Sequence, residues 1–379
     1  MSLEILSQIT DRCIQAHEET GAAVVITKDG REVFSTAAGY ADKENHVPFK
    51  TDTICRAFSC SKVSTAVACM ILITEGRLDT GWNVEWLIPE FGAAHYIRDG
   101  KRLESPPVKI RDLLNMTSGA AYPGDGHEGA EGTNDAWYQL DESIKAGRSM
   151  TTQQFAALIG RQPLMFPAGQ EWMYGSSADI LGAVIEKCAD MPLAEFMKKR
   201  IFEPLGMEDT AFYCPADKRE RLAVLYEGAG EAPKKAGYVN LCIYDYDSEP
   251  AFASGGAGLF STASDYAKLG AELSSGGGVL SRAAVDFLRT NGLDDTQRRT
   301  FDWDAVRGFG YGNLVRVLED RNAAGLLAPE GSFGWDGWTG TYLLCSPESG
   351  ISVTVFTQRC GAGTTQLARN IVNAAFAKL

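Results

Sequence analysis

The sequence predicts an α/β protein of the α+β kind, in which one antiparallel sheet flanked by helices is built from both chain ends and a mainly helical domain is inserted between them. Three observations predict it. A helix and a hairpin pattern open the chain, strand-like runs and a helix close it, and the middle is dominated by apolar residues at helical spacing.

Leu6, Ile9 and Cys13 recur at helical spacing, and Gly21 follows as a stop. Ala22 to Thr27 and Arg31 to Ala37 are strand-like runs joined at Asp29-Gly30, a pair that readily takes the positive φ angles of a tight hairpin turn. From Ser59 to Arg77, residues Ser59, Val63, Ala66, Val67, Met70 and Ile71 fall on helical periods, and Gly76 ends the run. Further on, Thr151 and Gln154 make a capping-box pair, Ile180, Leu181, Val184, Ile185 and Cys188 form an apolar stripe, and Pro192 suits a helix start. The stretch from Ala120 to Met150 is rich in Gly, Asp and Glu and reads as a long surface excursion, either a disordered loop or a lid. Thr262 to Ser275 and a run opening at Ser281 read as helices. Tyr311 to Leu318, Thr341 to Cys345 and Ile351 to Thr357 are β-branched or aromatic runs, and Thr364 to Leu379 closes as a helix. These elements place a sheet domain at 1–58 and 255–379 and a helical domain at 59–254, with the helix that starts at Ser59 at their interface.

The chain has 379 residues, 45% of them hydrophobic and 22% charged, so it can bury a large core without staples. A formal net charge of −13 with no Lys/Arg-rich stretch speaks against nucleic acid and anionic membrane as partners. No basic start followed by an apolar core marks a signal peptide, and no apolar run reaches the roughly eighteen residues that span a bilayer, so a cytoplasmic location is expected. The nine cysteines lie singly in apolar segments with no CxxC pair, as reduced, buried thiols do.

Ser59-Cys60-Ser61-Lys62 is an SxxK motif. On a helix, positions i and i+3 share a face, so the Lys62 amine can lie beside the Ser59 hydroxyl and act as the base that a serine nucleophile needs. Alone the motif is weak, because a chain of this composition shows about one by chance. Its place in a first helical turn adds free backbone N–H groups that can stabilise an oxyanion. For a Tyr-x-Asn or Tyr-x-Ser partner the sequence offers Tyr174-Gly175-Ser176, Tyr238-Val239-Asn240, Tyr246-Asp247-Ser248 and Tyr311-Gly312-Asn313, and the bare pattern does not choose among them.

The run Arg56-Ala57-Phe58-Ser59-Cys60-Ser61-Lys62, followed by Gly76-Arg77-Leu78-Asp79, resembles the nucleophile region of the serine β-lactamase and penicillin-binding protein superfamily, in particular its class C branch and the related carboxylesterases of the family VIII type. Ile110-Arg111-Asp112-Leu113-Leu114-Asn115-Met116-Thr117-Ser118-Gly119 is similar to the family's segment leading into the helical domain, with Met116 where His is usual. Phe166-Pro167-Ala168-Gly169 before Tyr174, and Ile180-Leu181-Gly182, Pro204-Leu205-Gly206-Met207 and Thr210 after it, match the family's order and single out Tyr174. The resemblance implies that Tyr174 relays the proton between nucleophile and leaving group, with Lys62 lowering its pKa, and that Ser176 stands where substrate-binding Asn is usual.

Where β-lactamases carry Lys-Thr-Gly, the run Gly334-Trp335-Asp336-Gly337-Trp338-Thr339-Gly340-Thr341 resembles the Trp-Gly-Gly variant of the carboxylesterases. By that resemblance Trp335 presents an apolar face to substrate, Asp336 adds negative charge, Gly337 lets the strand come close, and the Trp338 N–H joins that of Ser59 as the oxyanion hole. The implied activity is acyl transfer from a small, uncharged ester through an acyl-enzyme, without metal or cofactor. A β-lactamase or D-alanyl peptidase is the alternative, with Arg359 as the one cation that would have to swing into the cleft, and a non-catalytic sensor module is the second. A Ser-His-Asp hydrolase lacks its Gly-x-Ser-x-Gly elbow, and His17, His46, His95 and His127 have no metal-binding spacing. Gly255-Gly256-Ala257-Gly258 lacks the lysine of a phosphate loop, and the resemblance implies that it is a structural turn before a helix.

Overall fold

The computed structural model describes residues 3–148, 150–238 and 240–379, so Ser149 of the excursion and Val239 of the second tyrosine motif lie outside the described residues. Its frame is an antiparallel sheet made from β1 (Gly21–Lys28), β2 (Arg31–Asp42), β3 (Val47–Pro48), β4 (Phe309–Gly312), β5 (Val315–Leu318), β6 (Phe333–Asp336), β7 (Tyr342–Ser346) and β8 (Ile351–Thr357). The spatial order is β4-β5-β6-β7-β8-β1-β2-β3. The chain ends meet where β1 pairs with β8, in the register Ala22↔Thr357, Val24↔Val355 and Ile26↔Val353. Both strands are buried along nearly their whole length, which explains why they read as continuous apolar and β-branched runs rather than as an alternation. The mixed fold with both termini in one antiparallel sheet is the one the sequence predicts.

The hairpin between β1 and β2 turns at Asp29 and Gly30 with φ of 50° and 77°, as the dipeptide requires. One strand expectation is corrected: Tyr311 to Leu318 is not a single run but the tight hairpin β4–β5, turning at Asn313 and Leu314 with φ of 51° and 66°. A leucine in the left-handed region is not a turn signal, and its full burial offsets the strain.

Six helices matter for the site or cover the sheet. The terminal helices α1 (Glu4–Gln15) and, closing the chain, Gln366–Lys378 pack against each other and on the sheet. Helix α2 (Ser61–Thr74) is buried on every face from Ser61 to Leu72, and its small residues Ser64, Ala66 and Ala68 suit a helix enclosed by other elements. Helix α3 (Ala130–Lys145) occupies the Gly/Asp/Glu-rich stretch, so of the two readings of that excursion the disordered loop does not hold: Ala136, Trp137 and Leu140 bury one face of the helix. Helix α4 (Ser177–Ala189) packs on α2, and Ala263–Ser275 lies against β1, β7 and β8 with Thr262 as its cap. No helix among the described residues is long and apolar enough to cross a membrane.

Candidate active site

Ser59 lies on a single 3-10 turn, Phe58–Cys60, that runs directly into α2. Tight winding at this junction aligns side chains three apart, which sets Lys62 next to Ser59. Phe58 has a φ of 43°, a strained value for a large side chain, and it is held by burial and by edge-on packing against Trp338 at 5.1 Å.

The segment before Ser59 is stitched to the turn after β6. The Thr339 and Thr341 hydroxyls donate to the carbonyls of Arg56 and Ala57 at 3.0 and 2.8 Å. A Cβ on Gly337 would collide with the Ala57 carbonyl and the Thr341 hydroxyl, so only glycine permits the approach. Neither the Ser59 nor the Trp338 backbone N–H has an acceptor among the described residues. Two such free donors on adjoining segments can stabilise an oxyanion.

Lys62 is completely buried. Its Nζ donates to Ser59 Oγ at 3.2 Å, Tyr122 Oη at 3.0 Å and the Gly256 carbonyl at 2.9 Å. Burial drives the amine's pKa down to about 7, opposed by the negative charge of Asp179. Such an amine is substantially neutral near pH 7 and can take the Ser59 proton.

Of the four candidate tyrosines, Tyr174 is the one beside Lys62, whose Nζ lies 4.4 Å from its ring centroid. Tyr238 is exposed and Tyr246 donates to the Cys242 carbonyl, while Tyr311 is fully buried behind Trp335. The expectation that Lys62 lowers the Tyr174 pKa is overturned: burial raises it, outweighing the opposite influence of hydrogen bonds from Ser59 and Trp335. A phenol in this state passes protons without becoming a standing phenolate.

Trp335, Asp336 and Ser176 differ from their expected roles of meeting substrate. Trp335 is 2% exposed, stacks on Tyr174 at 5.4 Å and gives its Nε1–H to the Tyr174 phenol at 2.9 Å, so its donor orients the tyrosine. Asp336 does not project charge into the cleft, because Arg316 Nη1 pairs with it at 3.1 Å and Thr364 donates to the same oxygen. Ser176 is fully buried and donates to the Ala121 carbonyl at 2.6 Å, fixing the backbone that presents Tyr122. Arg359 neither swings into the cleft nor floats in solvent. It pairs with the buried Glu19 at 2.8 Å.

Arg316 is 2% exposed and sits over the Phe309, Trp335 and Tyr342 rings at 5.2, 5.5 and 5.2 Å. Arg316→Met should destabilise the protein by about 3 kcal/mol, because it strands the Asp336 carboxylate. Urea unfolding would measure this, and adding Asp336→Asn should recover part of the loss. A single variant as stable as the parent would contradict the pairing.

Two members of the cluster were not legible as site residues. Tyr122 opens the Gly/Asp/Glu-rich stretch with no motif around it, and the Gly256 carbonyl belongs to what reads as a turn. Two bonds pin that turn to α2: Thr65 Oγ1 donates to the Gly255 carbonyl at 2.7 Å and Ser61 Oγ accepts the Leu259 N–H at 3.0 Å. Among the described residues no cluster of three His, Cys, Asp or Glu is placed to hold a metal ion.

Comparison with known proteins gives a match to the Beta-lactamase family model over residues 6–377. Esterase EstB of Burkholderia gladioli is 27% identical over 381 residues, covering 94% of this chain and 91% of that protein. The lovastatin esterase of Penicillium rubens is 28% identical over 393 residues, covering 94% and 92%. Among solved structures, EstCE1, described as a hydrolase with promiscuous acyltransferase activity, superposes with a TM-score of 0.81 at 26% identity over 98% of both chains.

Proposed function

The chain belongs to the Beta-lactamase family, and from that premise we propose that it is an esterase-like serine hydrolase acting on small, uncharged esters through an acyl-enzyme on Ser59. The observation that carries this is the fully buried Lys62, whose amine, with a pKa near 7, touches Ser59, Tyr122 and Gly256. Neutral Lys62 takes the Ser59 proton as Oγ attacks the ester carbonyl, and the resulting oxyanion is held by the Ser59 and Trp338 N–H groups. Tyr174, oriented by Trp335, gives a proton to the departing alkoxide and is resupplied from Lys62. Water then enters by the reverse path, releasing the acid and restoring the Ser59 hydroxyl. Tyr122 holds the amine in place.

The names of EstB, lovastatin esterase and EstCE1 support an ester substrate. So does a pocket of about 520 Å³ beside Tyr174, in which Tyr122, Phe166, Trp172 and Trp303 form an apolar wall suited to an alcohol portion, while the one cation of its lining, Arg98, is accompanied there by Asp125 and Glu171. A β-lactam or peptide C-terminus brings a carboxylate instead. At the strand position where the β-lactamase motif has a cation stands Trp335, while Arg316 and Arg359 are each paired with a carboxylate. Desolvating the substrate's charge without a partner costs several kcal/mol, so nitrocefin should be hydrolysed at least about a hundredfold less efficiently than p-nitrophenyl butyrate in kcat/KM. A panel of these two substrates and a D-alanyl peptide tests the reading, and nitrocefin turnover matching the ester would replace it with a β-lactamase. Nine free thiols, most of them buried, support a reducing, cytoplasmic setting, and the negative net charge argues for a small-molecule rather than a nucleic-acid partner.

A further inference from the structure

Asp179 stands in the first turn of α4, where an acidic side chain ordinarily points to solvent and complements the helix dipole. Here it does not. It is 1% exposed and faces the machinery around Lys62. Its Oδ1 accepts the Ser254 hydroxyl at 2.5 Å and the Gly256 N–H at 3.1 Å. The carbonyl of that same glycine accepts the Lys62 amine, so one residue's backbone joins carboxylate to base. Oδ2 is buried with no hydrogen-bond partner. A Cβ on Gly256 would lie 2.7 Å from Oδ2 and 2.9 Å from Tyr122 Oη, so the carboxylate and the phenol converge on the space that only glycine leaves open.

We propose that Asp179 is a positioning residue of the acyl-transfer machinery: through Gly256 it aims a carbonyl at Lys62, and its charge sets the protonation equilibrium of that amine. The proposal rests on Lys62 acting as the base for Ser59. The other titratable groups facing Lys62 contribute little charge. Cys60 is pushed up to about 12 and the Tyr122 and Tyr174 phenols are raised by burial, so all three are neutral near pH 7. Asp336 is offset by Arg316. On the far side of Asp179, Cys242 is also pushed up to about 12. What remains is Asp179 and Lys62 sharing a dry site: burial raises the carboxyl's pKa and lowers the amine's, while each charge favours the other and the Ser254 and Gly256 donors and the N-terminus of α4 favour the carboxylate.

The sign of the effect follows. A negative Asp179 favours protonated Lys62, so removing its charge lets the amine deprotonate at lower pH. In Asp179→Asn, the acidic limb of the rate of Ser59 labelling by a fluorophosphonate should move down by about one pH unit, and the plateau rate should fall as the base weakens. A purely structural residue would lower the rate at every pH without moving the limb. Ser254→Ala provides a second variant if Asp179→Asn does not fold. It removes a donor that stabilises the carboxylate, and should move the limb in the same direction by less. A limb that stays at the wild-type position in a folded, labelled variant overturns the role of Asp179 alone. A wild-type protein that never labels at Ser59 overturns the acyl-enzyme reading, and this proposal with it.

Discussion

Ser59→Ala should leave no measurable hydrolysis of p-nitrophenyl butyrate above background, a loss on the order of ten-thousandfold or more in kcat. Its Oγ is the atom that becomes acylated, and the neighbouring hydroxyls are bonded elsewhere or buried away from substrate. Ser61 Oγ accepts the Leu259 N–H, and Ser64 and Thr65 are buried in α2. The fold should survive, because the hydroxyl's recorded contacts are with the Lys62 amine and the Tyr174 phenol, and alanine suits a helix start. Residual rate above the uncatalysed reaction would come from the Ser59 and Trp338 amides, which the substitution leaves in place. The check is kcat together with the circular-dichroism melt of the purified variant. Unchanged hydrolysis by a folded Ser59→Ala protein would remove Ser59 from the mechanism.

Lys62→Met should lose activity to nearly the same extent, on the order of a thousandfold or more, because base and nucleophile act as a unit and their losses do not add. The double variant should therefore be little worse than either single one. Methionine keeps the approximate length and apolar stem, so it tests the amine rather than the volume. The wild-type pH profile gives the sign. With the amine's pKa near 7, kcat/KM should fall as pH drops through 7, since protonated Lys62 cannot accept the Ser59 proton. The limb should be absent from the residual activity of Lys62→Met. A wild-type profile flat from pH 5 to 9 would exclude Lys62 as the base over that range.

How much of this was legible in the sequence depends on the range of the interaction involved. The β1–β2 hairpin and the caps of the helices at 152–160 and 263–275 were readable because turn and cap chemistry is local. The proximity of Ser59 and Lys62 was readable for the same reason, as a consequence of three-residue spacing at a helix start. Tyr174 was singled out by the order of the surrounding family motifs, which encodes tertiary position indirectly. Tyr122, Gly256 and Asp179 carry no such mark. Each acquires its place only when the segment at 120–122, the turn at 254–258 and the first turn of α4 close around the amine. Ser176 and Asp336 were assigned to the substrate from their motifs, but hydrogen bonds to the Ala121 carbonyl and from Arg316 turn both inward. The β4–β5 hairpin was hidden because Leu314 occupies a conformation that sequence rules reserve for glycine and asparagine.

The central claim is that Ser59 carries the acyl group during turnover. Mixing the protein with p-nitrophenyl butyrate, quenching in acid within the first turnovers and mapping the peptides by mass spectrometry tests it directly. The account predicts a butyryl group on the peptide containing Ser59, absent from Ser59→Ala. Acylation of a different residue accompanied by normal turnover, or burst-phase nitrophenol release with Ser59 unmodified, would contradict it.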